Sequence, residues 1–549
     1  MQKVTCLAIL LLLFTLHSCK NAAGAKDSTA AKPASTAYLK DTHLAFTDAV
    51  LKTTTAAVRE FYAAHNNATV WTHKADRDAL LQAIKEAEGD GLLPEDYNLN
   101  FLTQFEGLTT ITEDECLRYD LMMTEAFRKL CTHLFKGKLK PQDVYDDWVL
   151  AAKPFDAAKL QTEALENHNI AEAINNCRPK HQVYTSLRHS LALLNNLPDD
   201  SKLPQIVWEK PIKPNDSSAK VGIIKQRLMY WGDLKIDSVN LKYGSDAVVA
   251  VKKFQERHGM YPDGIIGKQT ADALNITRNE RREQVIVNLE RWRWFPYQFG
   301  DRALLINIPT YKLAVLENGK DTVQTYRIVV GKPERRTPVL ESKITDVVFN
   351  PTWTVPPTII KEDLTPAATK DHTYFANHNM KVYRDGEEVL AEAWNPAEAD
   401  KYRYVQGPGD ENALGRIKFN FRNNFSVYIH DTNHRNLFGG SYRALSSGCV
   451  RVQNPFKLAE YVLSGEDGAW DTSKINEIVD AEETENVYIQ KSIRVHQLYW
   501  TAWMDKGGLQ FRDDIYSLDK ILYAKLTKDA AGNSLTKSLL SDAHTPGGK

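Results

Sequence analysis

A single cysteine near the end of the chain has the surroundings of a reactive group. Cys449 follows a Ser-Ser-Gly turn, and His430 lies nineteen residues earlier, with His434 four residues beyond it. A thiol beside an imidazole is one way to build a nucleophile and its base. Two imidazoles and a thiolate are also zinc ligands. The spacing alone therefore leaves two chemistries open, covalent catalysis and metal binding.

The metal interpretation depends on the segment that follows His430. An H-x-x-x-H pair binds zinc well on a helix, because both rings then project from one face. Here the segment contains Asp431, Asn433 and Gly439, which favour a loop, and no Glu follows His430 to act as a base. A zinc site made of His430, His434 and Cys449 stays open as an alternative.

The nucleophile interpretation accounts for more residues. Gly448 allows a tight turn, so that the backbone N–H groups around Cys449 can face a developing oxyanion. A helix opening at Cys449 would favour the thiolate further through its dipole. Arg451 is suited to gripping a substrate carboxylate, with a surface salt bridge as its alternative role. Ser446 and Ser447 are expected to support the loop at the substrate site by hydrogen bonds.

The elements that must position these residues are mainly strands. Residues 301–491 alternate apolar and polar side chains and are punctuated by Gly, Pro and Asn-Gly, which predicts a mainly β domain with some helix. The run NFSVYIH is predicted to be an apolar strand that delivers His430 at its end. Residues 278–300 are predicted to form a charged linker helix. Residues 492–549 are predicted to add two strands and a short helix that pack on the β domain.

The preceding regions are predicted to be helical. Residues 39–217 carry amphipathic helical patterns, and residues 218–277 predict three short helices joined by glycine-containing turns. No catalytic constellation is predicted in residues 39–217, and their acidic side chains are expected to form solvated faces. Cys116 and Cys131 fall in one helical pattern, about 22 Å apart along the axis. They are therefore predicted to be buried thiols rather than a disulfide.

The N-terminus predicts export. Residues 1–18 combine a basic start with an apolar run that is shorter than the roughly 20 residues needed to span a bilayer, as in a signal peptide. Leu16-His17-Ser18-Cys19 resembles a bacterial lipobox, so Cys19 is predicted to be lipidated, with ordinary signal-peptide cleavage as the alternative. Residues 19–38 are rich in Ala, Ser, Thr and Lys and predict a flexible tether.

Length and charge narrow the classes of function. At 549 residues the chain is long enough for several domains. Its net charge of −1 argues against a nucleic-acid-binding protein, which would carry a strongly basic surface.

Several motifs together carry a family resemblance. The segments VVGKPERRTPV, NPTWTVPP, QGPGDENALGRIKF, YIHDT and SSGCVRV occur in the order seen in the L,D-transpeptidase family with the YkuD-type catalytic domain. AVKKFQERHG and DGIIGKQTADAL resemble the peptidoglycan-binding-domain-1 family. The whole arrangement is similar to the large multidomain YcbB-like subfamily. The resemblance implies a multidomain α+β fold with a helical scaffold, a three-helix peptidoglycan-binding module and a mainly β catalytic domain.

The resemblance also implies a mechanism. Cys449 would be the nucleophile, His430 the base and then the acid, and the backbone carbonyl of Asp431 would orient the imidazole. The donor would be a peptidoglycan tetrapeptide stem, which loses its terminal D-Ala and forms a thioester with Cys449. A side-chain amine of a second stem would complete a 3→3 cross-link. Water or a lipoprotein amine as acceptor would give carboxypeptidase or anchoring activity, and no cofactor is implied.

The motif before Cys449 departs from the commoner pattern of the family. Many members of the family carry His-Gly-Cys, whereas Ser447 stands before Gly448 here, as it does in the large subfamily. Residues 401–416 correspond to a mobile substrate cap in that subfamily, with a plain hairpin connection as the alternative. Trp353 and Tyr428 are candidates to line a substrate groove, although aromatic residues on strands also serve as core.

The implied partners are peptidoglycan stem peptides and glycan, together with a membrane through the N-terminal lipid, and the protein is expected to be a monomer. Its expected location is the periplasmic side of a bacterial cell envelope. Lys20 after Cys19 favours the outer membrane, because it is not the Asp associated with inner-membrane retention. A non-catalytic wall-binding lipoprotein is a further alternative.

Overall fold

The computed structural model describes residues 43–528, apart from 109–110, 236–239, 297 and 372. The predicted signal peptide, the lipidation site Cys19 and the tether lie outside the described residues. Of the helices in the described part, none combines the length and apolar character needed to cross a bilayer.

The N-terminal region is helical, as the sequence predicts. Its helices are α1 (Asp48–Leu51), α2 (Ala56–Ala64), α3 (Lys74–Glu86), α4 (Leu99–Glu106), α5 (Glu113–Lys136), α6 (Ala157–Glu166), α7 (Ile170–Asn176) and α8 (Gln182–Asn196). The long helix α5 begins with a capping box, in which the side chains of Thr112 and Glu115 satisfy each other's backbone N–H groups. Cys116 and Cys131 are buried free thiols on this helix, as predicted.

Several acidic side chains of this region are buried, so the prediction that they form solvated faces is wrong for them. Asp120 is fully buried and accepts hydrogen bonds from the Tyr62 hydroxyl (2.6 Å) and the Trp71 N–H (2.8 Å). Asp90 is fully buried and pairs with Arg178. Burial of these carboxylates is tolerated because their oxygens are hydrogen-bonded or paired with a cation.

The next unit consists of three helices, α9 (Ala219–Tyr230), α10 (Ser245–Arg257) and α11 (Lys268–Asn275). Val251 and Phe254 of α10 lie in its core. The turn before α11 contains Gly264 at a φ of +76°, and the Tyr243 hydroxyl donates to the Gly264 carbonyl at 2.6 Å.

The predicted linker helix, α12 (Arg278–Trp294), is a buried element of the core rather than an exposed connector. Arg293 pairs with Glu290 on the same helix, and Arg291 pairs with Asp519 near the end of the described chain. The guanidinium groups can be buried because each meets a carboxylate. The helix therefore lies between the scaffold and the C-terminal part of the chain.

Two further groups of elements complete the chain. The remaining helices are α13 (Pro357–Ile359), α14 (Thr365–Lys370), α15 (Tyr374–Asn377), α16 (Pro455–Leu463), α17 (Thr472–Asp480) and α18 (Asp519–Leu526), with a π-helical turn at Ile360–Leu364. The strands are β1 (Trp148–Val149), β2 (Arg302–Asn307), β3 (Lys312–Glu317), β4 (Asp321–Gly331), β5 (Val339–Phe349), β6 (Trp353–Thr354), β7 (Met380–Arg384), β8 (Glu387–Val389), β9 (Arg403–Gln406), β10 (Ile417–Phe421), β11 (Ile429–His430), β12 (Ala444–Ser446), β13 (Val450–Val452), β14 (Glu485–Tyr488), β15 (Arg494–Leu498), β16 (Ala502–Asp505) and β17 (Gly508–Phe511).

The main sheet is nearly closed on itself. Its strand order is β1-β5-β10-β11-β13-β4-β3-β2-β15, and β15 also pairs with β5, which closes the path into a ring. The C-terminal region packs on the β domain as predicted, but it also supplies β15 to the sheet. The hairpin β16–β17 and helix α18 follow it.

Between β5 and β10 the chain forms a separate small unit, called here the cap (residues 353–406). Its sheet has the order β6-β9-β7-β8, and its core includes Phe375, Trp394 and Tyr404. Residues 403–406 form β9, an interior strand of this sheet. Residues 407–416 form turns that connect β9 to β10, and their role as a mobile substrate cap stays a prediction.

Candidate active site

Three polar side chains form a row across adjacent strands of the main sheet. Lys418 on β10 lies opposite His430 on β11, and His430 lies opposite Arg451 on β13. Directly paired residues present their side chains on the same face of a sheet. One imidazole is therefore flanked by two cationic side chains on a single face.

Two more side chains that line the same cleft come directly before these strands. Cys449 precedes Arg451 by two residues, and Tyr428 precedes His430 by two. The Tyr428 hydroxyl lies beside the Cys449 sulfur, and its ring centroid is 5.5 Å from that of His430. Lys418 Nζ lies 4.2 Å from the centroid of the Tyr428 ring. The predicted nucleophile, base and carboxylate-binding residue are thus brought together, with Tyr428 and Lys418 between them.

The thiol and the imidazole line the same cleft, and no hydrogen bond joins them in the described part of the chain. Within the described residues, Cys449 Sγ contacts the Ser426 carbonyl at 4.0 Å, and His430 Nδ1 is buried with no hydrogen-bond partner. The carbonyls of Asp431 and Leu414 lie near the ring and raise the pKa of His430 against the effect of burial. Catalytic hydrogen bonds are often long in ligand-free enzymes and shorten when substrate binds.

The Asp431 side chain holds the loop in place. It is fully buried, and its Oδ2 accepts hydrogen bonds from the Arg416 N–H (3.0 Å) and the Arg435 guanidinium (3.1 Å). A β-carbon at Gly415 would lie 2.4 Å from this carboxyl group. Glycine is therefore required where the chain passes the carboxylate on its way to β10.

The turn before Cys449 is held by hydrogen bonds. Gly448 has a φ of +110°, which favours glycine, and its N–H donates to Ser446 Oγ at 3.2 Å. Ser446 Oγ donates to the Cys449 carbonyl at 2.6 Å, and Thr337 Oγ1 donates to the Gly448 carbonyl at 2.8 Å. The Gly448 N–H is thus engaged by Ser446 in this structure, and its role toward an oxyanion stays a prediction.

The expected helix at Cys449 is absent. Cys449 leads into strand β13, which pairs with β11 and β4, and the next helix begins at Pro455. Strand pairing overrides any helical start because Val450 and Val452 are needed in the sheet core. A helix dipole therefore does not act on this thiol.

Burial and charge set the resting protonation states. Burial raises the pKa of Cys449, while hydrogen bonds from Tyr428 and the charges of Lys418 and Arg451 oppose this effect. Burial, followed by the charge of Arg451, lowers the pKa of His430 to about 3. The resting pair is a neutral thiol and a neutral imidazole, so the imidazole can accept a proton.

Arg451 has the features of a binding group. It is half-buried, and its Nε has no hydrogen-bond partner. Among the described carboxylates, none lies within salt-bridge distance of Arg451. The alternative of a surface salt bridge therefore has no partner in the described part of the chain.

A cleft of about 640 Å³ lies between the main sheet and the cap, and it is lined by Cys449, His430 and Arg451. Trp353 and Thr358 of the cap form one wall, and Arg336 and Asp147 lie on another side. Trp353 is half-buried and its indole lies beside the Tyr428 hydroxyl. Ser446 and Ser447 also line the cleft. All the substrate-site residues predicted from sequence therefore meet in one cavity.

Arg335 joins three elements around the cleft. It lies in the loop after β4, and its guanidinium donates to Glu362 and Asp363 of the π-helical turn in the cap. The same guanidinium donates to Ser447 Oγ at 2.8 Å. The cap is therefore tied to the loop that carries the nucleophile.

Three residues of the site, Lys418, Arg335 and Thr337, were not predicted from the sequence. Lys418 alternates with the apolar Ile417 and Phe419, which would have placed it on the face opposite the core. That pattern does not reveal that His430 is its cross-strand partner. Arg335 and Thr337 lie in a loop, where no periodicity indicates which elements they contact.

The zinc alternative lacks the necessary convergence. In the described part of the chain, His430, His434 and Cys449 do not bring three ligand atoms close enough for one ion. His430 is buried at the end of β11, whereas His434 is exposed. The reason is the loop after His430, which does not keep the two rings on one helical face.

Sequence profiles of known families match three parts of the chain. The profile described as "L,D-transpeptidase catalytic domain" matches residues 301–478. Those described as "Scaffold domain" and "Putative peptidoglycan binding domain" match residues 56–191 and 217–274.

A curated protein of Haemophilus influenzae, described as "Putative L,D-transpeptidase", is 35% identical over 259 residues, which are 46% of this chain and 50% of that protein. The chain thus spans about half the length of this relative. A solved L,D-transpeptidase (residues 123–326) from Xylanimonas cellulosilytica is 16% identical, with a TM-score of 0.17, over 53% of this chain and 98% of that chain. One from Stackebrandtia nassauensis is 14% identical, with a TM-score of 0.21, over 54% and 98% of the two chains.

The profiles and the curated relative confirm the resemblance and the fold class expected from the sequence motifs. The chain carries the YkuD-type L,D-transpeptidase catalytic domain, joined to a scaffold domain and a peptidoglycan-binding domain.

Proposed function

We propose that this protein is a cysteine-dependent L,D-transpeptidase that cross-links peptidoglycan stem peptides. The observation that carries the proposal is that Cys449, directly before β13, and His430, at the end of β11, line one cleft with Arg451. A neutral imidazole beside a thiol supplies a base, and a nearby cation supplies a site for a carboxylate.

The first half of the reaction makes a thioester. His430 accepts the proton of Cys449, and the sulfur attacks the carbonyl carbon of the third residue of a tetrapeptide stem. The N–H of Cys449 stabilises the oxyanion that forms. The C–N bond to the terminal D-Ala breaks, and His430 returns the proton to the leaving amine. No cofactor takes part in this sequence.

The second half transfers the acyl group. The side-chain amine of a second stem attacks the thioester and gives a proton to His430. The C–S bond breaks, the proton returns to the Cys449 sulfur, and a 3→3 cross-link is formed. Water in place of the amine gives L,D-carboxypeptidase activity, and an amine of a protein gives anchoring. The same nucleophile serves all three outcomes.

The cationic side chains fit a stem peptide, which carries free carboxylates. Arg451 is half-buried with an unpaired Nε, so it can bind a carboxylate within the cleft without breaking an existing ion pair. Ser446, Ser447, Tyr428 and Trp353 complete the walls of the peptide site.

The surroundings of the enzyme follow from its other parts. A peptidoglycan-binding module beside the catalytic domain favours action on the cell wall, in the periplasm-facing envelope. The proposed lipid at Cys19 would hold the enzyme near a membrane.

Mass spectrometry of the purified protein with disaccharide tetrapeptides tests the proposal. We expect an intact-mass adduct equal to the donor minus D-Ala, located on Cys449, together with 3→3 dimers. The variant Cys449→Ala should give neither product, whereas Cys116→Ala removes a buried scaffold thiol and is the matched control.

Treatment with a chelator separates the thiol mechanism from the zinc-dependent alternative. Activity that survives a chelator and disappears in Cys449→Ala fits a thiol enzyme. Product formation by Cys449→Ala would overturn the proposal. Monomeric tripeptides without dimers would instead identify the carboxypeptidase form.

A further inference from the structure

A group of possible metal ligands lies in the scaffold, outside the catalytic cleft. His73, Asp76 and His168 each offer one ligand atom, and these atoms lie within 4.8 Å of one another. Asp76 Oδ2 is 2.7 Å from His168 Nδ1 and 3.8 Å from His73 Nδ1. The two imidazole ring centroids are 4.4 Å apart. Both rings therefore face the same carboxylate oxygen.

The cluster is assembled from two separate parts of the scaffold. His73 is the residue before α3, and Asp76 lies in the first turn of that helix. His168 lies between α6 and α7, far along the chain, with a φ of +51°. This backbone conformation is unfavourable for a residue with a β-carbon, and it presents the ring to the start of α3.

Burial differs across the cluster in a way that suits a surface ion site. The Asp76 side chain is 5% exposed, whereas those of His73 and His168 are 49% and 56% exposed. The carboxylate is fixed in the protein and the rings are accessible from solvent. An ion can therefore enter without a rearrangement of the core.

The donor set selects the class of metal. Imidazole nitrogen and carboxylate oxygen are ligands of Zn²⁺ and related divalent transition metals. Tetrahedral bonds of roughly 2.0–2.1 Å place neighbouring ligand atoms about 3.3 Å apart, which lies between the two observed separations. Small rotations of the side chains would meet this requirement.

We propose that His73, Asp76 and His168 form a binding site for Zn²⁺ or a similar divalent transition metal, with water in the remaining coordination position. The ion replaces a single hydrogen bond between His168 and Asp76 with three bonds to one centre. It joins the start of α3 to the loop between α6 and α7, and so stabilises the scaffold. The site is independent of the chemistry at Cys449.

Titration of the full chain with Zn²⁺ tests this site. The titration is done in the Cys449→Ala protein, which removes the cleft thiol as a competing ligand. We expect one equivalent to bind and the melting temperature of the scaffold to rise. His73→Gln and His168→Gln should each weaken binding by more than the roughly 10–100-fold cost of losing an outer-shell partner. Both side chains are exposed, so these variants should fold.

The matched control is His189→Gln, which removes an exposed histidine of the scaffold outside the cluster. Retained binding in this variant supports the assignment. X-ray absorption of the bound zinc should show nitrogen and oxygen ligands only. Three results would each overturn the proposal. They are a sulfur ligand, no zinc binding at all, or a zinc affinity that is the same in the parent and in the His73 and His168 variants.

Discussion

Two cations next to the thiol are the main electrostatic feature at the scale of single residues. Lys418 and Arg451 both lower the pKa of Cys449, whereas burial raises it. Burial lowers the pKa of each cation, and the charge on Cys449 raises it. The thiolate and the two cations therefore stabilise one another. The charge that develops on sulfur in the reaction meets groups that are already in place.

Replacement of Lys418 by Met should make the thiolate harder to form. The change removes one of the two positive charges while it keeps most of the side-chain volume over the Tyr428 ring. We expect the midpoint of the pH profile for alkylation of Cys449 by iodoacetamide to rise, on the order of one pH unit. The rate of acyl-enzyme formation at neutral pH should fall accordingly.

Lys343→Met is the control for this prediction, since Lys343 is an exposed lysine on the neighbouring strand β5. Its alkylation profile should match that of the unmodified protein. An unchanged midpoint in Lys418→Met would show that this charge does not act on the sulfur.

At the scale of elements, the cap is held over the cleft by a small number of polar contacts. Arg335 lies outside the cap and has only 10% of its side chain exposed, while its partners Glu362 and Asp363 are each 52% exposed. Exposed ion pairs of this kind contribute about 0.2–1 kcal/mol each. Contacts of this strength favour the position of the cap over the cleft without dominating its stability.

Replacement of Arg335 by Met should therefore loosen the cap without unfolding it. We expect faster amide hydrogen exchange in residues 357–370, by a few-fold to about tenfold, because two ion pairs and the bond to Ser447 are lost. The apparent KM for a stem peptide should rise, since Ser447 lines the cleft.

The control for the cap is Arg384→Met. Arg384 pairs with Glu398, and both residues belong to the cap itself. This variant loses an ion pair within the cap, whose side chains are 39% and 30% exposed, but no contact with the nucleophile loop. Equal exchange in the two variants would contradict the role assigned to Arg335.

Single strands and helices could be predicted from the sequence, but the elements that they pair with or pack against could not. Alternation identified the strands of the β domain, and the motif around Cys449 identified the candidate nucleophile. The row of Lys418, His430 and Arg451 depends on strand pairing, which a periodicity of two does not specify. The buried position of α12 depends on carboxylates far along the chain, such as Asp519, so its charged sequence resembled a solvated helix.

At the scale of the whole molecule, α12 connects regions that the sequence predicts as separate. Its Arg293 donates to the Tyr184 hydroxyl in the scaffold, and its Asn288 donates to Thr501 Oγ1 at 2.8 Å near the C-terminal hairpin. Its Gln284 donates to the Arg512 carbonyl. These buried contacts couple the stability of the scaffold to that of the catalytic domain.

Buried neutral histidines should make the whole molecule sensitive to acid. Burial lowers the pKa of His133 in the scaffold and of His430 in the catalytic domain to about 3, and burial holds that of His258 in the three-helix unit well below 6.5. The unfolded chain binds protons at these sites below pH 6.5, whereas the folded chain does not. Their contribution to stability is therefore present above pH 6.5 and lost as the pH falls towards 3. Asp519 opposes this trend, because burial raises its pKa to about 6.

We expect the free energy of unfolding to fall between pH 7.5 and pH 5.0, by about 2 kcal/mol for each buried histidine, measured by urea denaturation. In the His133→Gln variant the free energy of unfolding should fall by about 2 kcal/mol less over this pH range, because glutamine does not gain a proton on unfolding. The exposed His189→Gln should keep the full loss. The His133 ring and the Tyr97 hydroxyl share a hydrogen bond of 2.9 Å, so the variant will be less stable at every pH. The test is therefore the slope of the free energy of unfolding against pH. A slope equal to that of the parent protein would show that proton binding to the unfolded chain at this histidine does not drive the loss.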